Sequence, residues 1–373
     1  MKQPPLPIPF RAARCPDTAA IKSPFRQAGL GLVEIMVALA IGAFMLGGVL
    51  SLVIWVSQAR TELDKTSEQI ENGRYAIQLL SDELRLAGFY GNSRIVASTY
   101  AAPSPCTTTV SELGFSYESA TASTAYPVPV QGYVSPPSEA TCLGHALADS
   151  EVLSVRHVET TGIAVASATT GVPYVQLSQC QTDTQPMLFS AAGASAFVLK
   201  DKDCSAKTEL WPYALRTYYL SDCDICSPSD GIPTLKVAEL QKSASGLSIV
   251  AQSVAEGIED IHFEYGMDLD TDGTPDCYVP DPSVDTAPAT ASCPASGWAA
   301  ADATNWSNVV SVRINLLARS TDSSAGWKDE REYDLGRKDA EGNSDLEGPF
   351  NDSYRRQVYS AVVTLPNVSG VRE

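Results

Sequence analysis

Hydrophobic and polar positions divide the chain into three patterns. From Ile35 to Val56 the sequence IMVALAIGAFMLGGVLSLVIWV runs for 22 residues without a charge. Wound as an α-helix, that run would extend about 33 Å, the depth of a bilayer's hydrocarbon core. Past Val56 the pattern turns amphipathic. Leu63, Ile70, Ile77, Leu80 and Leu84 follow one another at helical spacings, which predicts that the apolar helix continues outward and lays one face on a folded body, with Gly88 as its stop. Gly73 inside this stretch lowers helix stability by roughly 1 kcal/mol relative to Ala and reads either as a bend or as a tolerated exposed glycine.

After Tyr90 the period shortens to two. Runs beginning at Glu151, Val172, Leu215, Thr234, Ile258, Val309 and Arg355 alternate apolar with polar residues and are parted by Gly, Pro, Ser and Asp, the pattern of antiparallel strands. Stretches 92–128 and 271–307, rich in Ala, Ser, Thr, Pro and Gly, read as long surface loops partly stapled by cysteine. The expected class is α+β: a long N-terminal helix, transmembrane in its first half, packed on antiparallel β-sheet with long disulfide-stapled loops. The expected segments are 1–29, a leader; 30–56, a hydrophobic helix; 57–90, its amphipathic continuation; and 91–373, a β-rich globular head.

Charge and cysteine content place these segments about a membrane. The net charge of −18 and isoelectric point near 4.6 argue against nucleic acid as a partner, because polyanions are drawn to surplus Lys and Arg. The first 29 residues run the other way, with Lys2, Arg11, Arg14, Lys22 and Arg26 against Asp17 alone. The positive-inside bias therefore puts the N-terminus in the cytoplasm and the body in the periplasm. Cys15 lies in the basic front. Cys106, Cys142, Cys180, Cys204, Cys223, Cys226, Cys277 and Cys293 form an even set in the body, as disulfides in an oxidising compartment require. Loop-closure entropy favours pairing Cys106 with Cys142, Cys180 with Cys204, and Cys277 with Cys293, while Cys223 and Cys226 either close a tight ring or exchange with other partners. Zinc is the rival reading of Cys223-Asp-Ile-Cys226, but the sequence offers no second Cys-x-x-Cys or His pair to complete a tetrahedral site.

Glu34 stands at the cytoplasmic mouth of the apolar run. A carboxylate entering hydrocarbon costs a few kcal/mol unless a cation meets it, and an α-amine freed by cutting after Gly29 supplies one. Gly29, the apolar Leu30, Glu34 five places after the glycine and the continuous apolar helix together resemble the class III signal of type IV prepilins. Segments ENGRYAIQLLSDELRLAGFYG, EVLSVRHV, VAEGIEDIHFEYGMDLDTDG, VVSVRINLLARS and YRRQVYSAVVTLPN resemble, in the same order, PilW-type minor pilins.

The resemblance implies cleavage after Gly29 and N-methylation of Leu30 by a prepilin peptidase of the inner membrane, then assembly through Glu34. It implies a low-abundance structural subunit that helps initiate type IV pili with other minor and major pilins near the fibre tip, serving cell motility. Two rivals use the same N-terminus differently: a type II secretion pseudopilin, and a membrane-anchored periplasmic module that never assembles.

One segment of the body carries candidate chemistry. Asp268-Leu-Asp270-Thr-Asp272-Gly273 matches the opening of a calcium loop, with Asp276 as a further donor and Asp281 as a distant one. Val279 stands where an EF-hand has its bidentate Glu, so the alternative is an Asp-rich hairpin turn. His145, His157 and His262 are scattered, and Gly-x-Ser-x-Gly, Walker A and His-Glu-x-x-His motifs are absent. No enzyme is expected, and no cofactor is required beyond possible calcium. Arg355 and Arg356 read as an interface or as a solvated strand edge.

Overall fold

A computed structural model describes residues 31–92, 97–283, 293, 294, 296–338 and 344–370. Gly29, Leu30 and Cys15 lie outside them. The chain divides into two compact units, Met1–Ala59 and Arg60–Glu373. Helix α1, Leu32–Leu86, contributes its first half to one and its second half to the other.

In the first unit the described helix is apolar and uncovered. Side chains such as Leu39, Phe44, Leu46, Leu52 and Trp55 are exposed, and none between Gly31 and Ala59 is buried. An uncovered apolar surface of this extent suits lipid or other helices rather than water.

The second unit begins with the rest of α1 and continues through β1 (Thr99–Ala101), β2 (Ser116–Glu118), β3 (Ser123–Pro127), β4 (Val130–Tyr133), β5 (Val152–Val158), β6 (Tyr174–Leu177) and β7 (Met187–Ser190). Then come β8 (Leu210–Ser221), β9 (Thr234–Ser243), β10 (Gly246–Glu256), β11 (Ile258–Met267) and β12 (Cys277–Val279). The chain closes with α2 (Asp302–Ser307), β13 (Val309–Arg319), β14 (Tyr333–Lys338), β15 (Ser344–Glu347), β16 (Arg356–Thr364) and α3 (Pro366–Ser369).

Strands β10-β9-β8-β5-β4 form an antiparallel sheet to which β6 and β7 attach beside the start of β8, and β12-β11-β13-β16 form a second. A small sheet β1-β3-β2 and the hairpin β14-β15 complete the body.

Both large sheets turn an apolar face toward the second half of α1. Ala76, Leu80 and Leu84 of the helix share one core with Leu153 and Val155, Tyr218 and Leu220, Phe263 and Tyr265, and Ile314 and Leu316. Alternation along β5 shows why that strand is buried throughout. Leu153 and Val155 point into this core, while Val152 and Val158 enter clusters on the opposite face. Arg156, on that second face, is fully buried and donates to the carbonyls of Val128 and Pro103 and to Gln131 Oε1.

Three expectations need correction. The buried stripe of α1 begins at Gln69, not Leu63: Leu63 is 69% exposed, while Gln69 Nε2 donates 2.7 Å to the carbonyl of Ala318. Gly73 is buried against Tyr359, so it is not an exposed glycine. Stretch 92–128 is more than surface loop, because it carries β1 to β3 and lends Leu113, Phe115 and Tyr126 to a buried apolar cluster with Tyr213. Likewise 271–307 includes β12 and ends in α2, whose Trp306 packs edge-on against Tyr265. Helix α1 itself stops two residues before Gly88, whose φ of +75° turns the chain and whose N–H donates to the carbonyl of Arg156.

Candidate functional site

Glu34 lies in the first turn of α1, where its backbone N–H donates 2.9 Å to the carbonyl of Gly31. Val37 and Ala38 follow it by one turn and Ile41 by two, so the carboxylate sits on an apolar helix face bordered also by Val33. The whole setting is exposed. A negative group at a helix N-terminus is favoured by the unpaired amides there, but in hydrocarbon it also demands a cation. Gly29 and Leu30, the other two residues singled out for processing, lie outside the described residues.

A second arrangement fixes the helix to the head. His157, fully buried on β5, has Nε2 2.8 Å from Glu83 Oε1 and Nδ1 2.8 Å from the carbonyl of Val158. Arg216 on β8 donates from Nη1 to both Glu83 oxygens, from Nε to Glu239 and from Nη2 to Glu159. Burial pushes the Glu83 carboxyl upward, but the His157 hydrogen bond and the Arg216 charge outweigh it, and the group titrates below its ordinary range. Glu83, His157 and Arg216 therefore act as a clamp between helix and sheet.

Arg356 forms a comparable hub. It is 3% exposed and meets Glu259, Asp329 and Asp352, each through a charged hydrogen bond. Its place is interior, so the reading as a solvated strand edge fails for it. Arg355 is half-buried, with its guanidinium 4.4 Å from the Trp327 ring.

The Asp-rich turn after β11 brings carboxylate oxygens of Asp268, Asp270 and Asp276 within 4.8 Å of one another. Asp268 is fully buried and accepts from the N–H groups of Thr271, Asp272 and Gly273, the last at φ +85°. Asp272 turns away. Its Oδ1 accepts from the N–H and hydroxyl of Thr274, and those bonds hold its pKa below the usual value. Val279 is buried in β12, paired with Tyr265, and Asp281 bonds Ser283. The turn is thus a three-carboxylate cluster continued by a strand, without the flanking helices of an EF-hand.

The eight body cysteines stand as four pairs: Cys106 with Cys142, Cys180 with Cys204, Cys223 with Cys226 and Cys277 with Cys293. The clamp escaped sequence reasoning because Glu83 lies 74 residues from His157 and 133 from Arg216, and no local motif announces such a pairing.

Two family models match the chain, one toward each end. Residues 217–367 match the family described as Type IV Pilus-assembly protein W, and residues 24–50 match the prokaryotic N-terminal methylation motif. The first span runs from the middle of β8 to α3; the second holds Gly29, Leu30 and Glu34. No curated protein and no solved structure matches the chain. The matched PilW family is structural rather than enzymatic.

Proposed function

We propose that this chain, a PilW-type prepilin-like protein and a minor pilin-like subunit in type IV pilus assembly, joins the fibre by pairing Glu34 with the N-terminal amine of a neighbouring pilin. It is an inner-membrane-anchored pilin with a periplasmic head, and it is incorporated into the pilus. The observation that carries the proposal is the uncovered apolar half of α1 with one carboxylate in its first turn. Packing of that surface against other pilin helices supplies most of the attraction, and the ion pair selects the register, since a carboxylate left unpaired among apolar helices is penalised.

In this reading a prepilin peptidase cuts after Gly29 and methylates Leu30. The clamp at Glu83 holds the second half of α1 to the main sheet while the apolar half leaves the bilayer for the fibre. The subunit acts at initiation beside other minor and major pilins, has no catalytic role, and takes calcium as an accessory ligand at Asp268, Asp270 and Asp276.

The test is a Glu34→Leu chain expressed in place of the native one. The leader should be removed normally while the subunit disappears from sheared pili and surface piliation falls. Normal piliation with the variant present in the fibre would overturn the proposed pairing.

A further inference from the structure

Cys223 and Cys226 close the turn between β8 and β9, and the fold brings to them a ligand their own segment lacks, His145. The N–H of Asp222 donates 3.1 Å to the carbonyl of His145, and the N–H of Leu147 donates 2.9 Å to the carbonyl of Leu220, so the segment around His145 runs along the end of β8. This pairing sets His145 Nδ1 3.6 Å from Asp222 Oδ1, which is itself 2.9 Å from Cys223 Sγ. Ligand atoms of His145, Asp222, Cys223 and Cys226 all lie within 4.8 Å of one another. None of the other three cysteine pairs has an imidazole and a carboxylate in such reach among the described residues.

A cation and a hydroxyl stand beside the two sulfurs. Lys236, 8% exposed, donates from Nζ to Cys226 Sγ at 3.3 Å and to the carbonyl of Asp224. Ser221 Oγ lies 3.7 Å from Cys223 Sγ and 3.9 Å from Cys226 Sγ. An ammonium at this distance can offset the charge of a metal-bound sulfur. Cys223 is buried, Cys226 is half-buried, and His145 and Asp222 are more than half exposed, so one side of the cluster opens to solvent.

We propose that Cys223, Cys226, His145 and Asp222 form a redox-gated zinc site: closed while the two sulfurs are bonded to each other, and competent once a dithiol reductant opens them. A dithiol delivers two electrons and two protons, the sulfur–sulfur bond breaks, and the reductant leaves as its own disulfide. Zn²⁺ then displaces the two thiol protons to solvent and takes two thiolates, one imidazole nitrogen and one carboxylate oxygen. Tetrahedral zinc holds paired thiolates about 3.8 Å apart, a separation compatible with Cα atoms 5.2 Å apart. Two thiolates and a carboxylate against Zn²⁺ leave one negative charge, which Lys236 balances while its hydrogen bond orients the Cys226 sulfur.

The experiment follows cobalt(II) binding to the full chain in detergent, before and after dithiothreitol treatment limited, by peptide mass mapping, to the Cys223–Cys226 pair. The reduced chain should take up one cobalt per molecule with a thiolate-to-cobalt charge-transfer band and tetrahedral visible bands, both displaced by zinc. The oxidised chain and a Cys223→Ser/Cys226→Ser chain should show neither. His145→Ala should weaken binding by more than ~10-fold and shift the visible bands, and Lys236→Ala should weaken it by about 10-fold with the bands unmoved. Far-ultraviolet circular dichroism of each variant confirms that the head stays folded. A band that is missing from the reduced chain, appears only after other disulfides open, or is indifferent to His145→Ala overturns the proposal.

Discussion

The ring of Tyr359 on β16 lies over Gly73 of α1 so closely that a Cβ on that glycine would fall 2.3 Å from Cε2 of the ring. The helix can approach the four-stranded sheet at this point because no side chain intervenes. Gly73→Ala should therefore be destabilising, although alanine gains roughly 1 kcal/mol in helix propensity. Overpacking costs about 1–3 kcal/mol, and the net loss should be near 1 kcal/mol in chemical denaturation. With Tyr359→Ala already present, the same Gly73→Ala change should become neutral or stabilising. A loss unchanged by that background would contradict the contact.

The clamp between α1 and the main sheet should show in the acid limb of stability. Glu83 titrates below its ordinary 4.5 in the folded chain, because the His157 hydrogen bond and the Arg216 charge outweigh the burial that pushes it up. A carboxylate depressed by folding stabilises the native state above its unfolded pKa, and that contribution is lost as the pH falls through the folded value. Denaturation midpoints of the native chain should fall as the pH drops below about 4.5, and Glu83→Gln should show a shallower fall over the same range. At pH 7 the same variant should cost about 2 kcal/mol, because Arg216 keeps Glu159 and Glu239 as partners. An acid limb of equal slope in both chains would remove Glu83 from the account.

The architecture was legible in the chain because its main signals are periodic. The uncharged run before Ser57 and the alternation in β5, β11, β13 and β16 each mark an element directly. What stayed hidden was set by contacts between distant segments. Gln69 lies on the buried stripe because its amide meets the carbonyl of Ala318, a role that no apolar pattern announces. Strand β10 is mostly exposed and held by backbone pairing with β9, so its side chains carry little alternation. Strands β1 to β3 are three to five residues long and sit among Ala, Ser, Thr and Pro. The cluster around Cys223 needs His145, which only the pairing along β8 brings near. Conversely, Asp272 belongs to the calcium pattern by spacing alone, and its side chain is engaged by Thr274.

Calcium binding at the turn after β11 should rest on Asp270 and Asp276, whose exposed carboxylates stand beside buried Asp268. Millimolar calcium should raise the thermal midpoint of the native chain by a few degrees and leave Asp270→Ala unmoved, while Asp272→Asn should retain most of the rise. An equal response of the native chain and Asp270→Ala would show that the ion acts elsewhere.

A prepilin that enters the fibre through its apolar helix must first lose its leader. Mass spectrometry of the N-terminal peptide, from protein recovered both from membranes and from sheared pili, tests it most directly. The chain should begin at N-methylated Leu30 in both fractions. A chain that keeps Met1 and is absent from the sheared material would contradict it, leaving an anchored periplasmic protein that does not assemble.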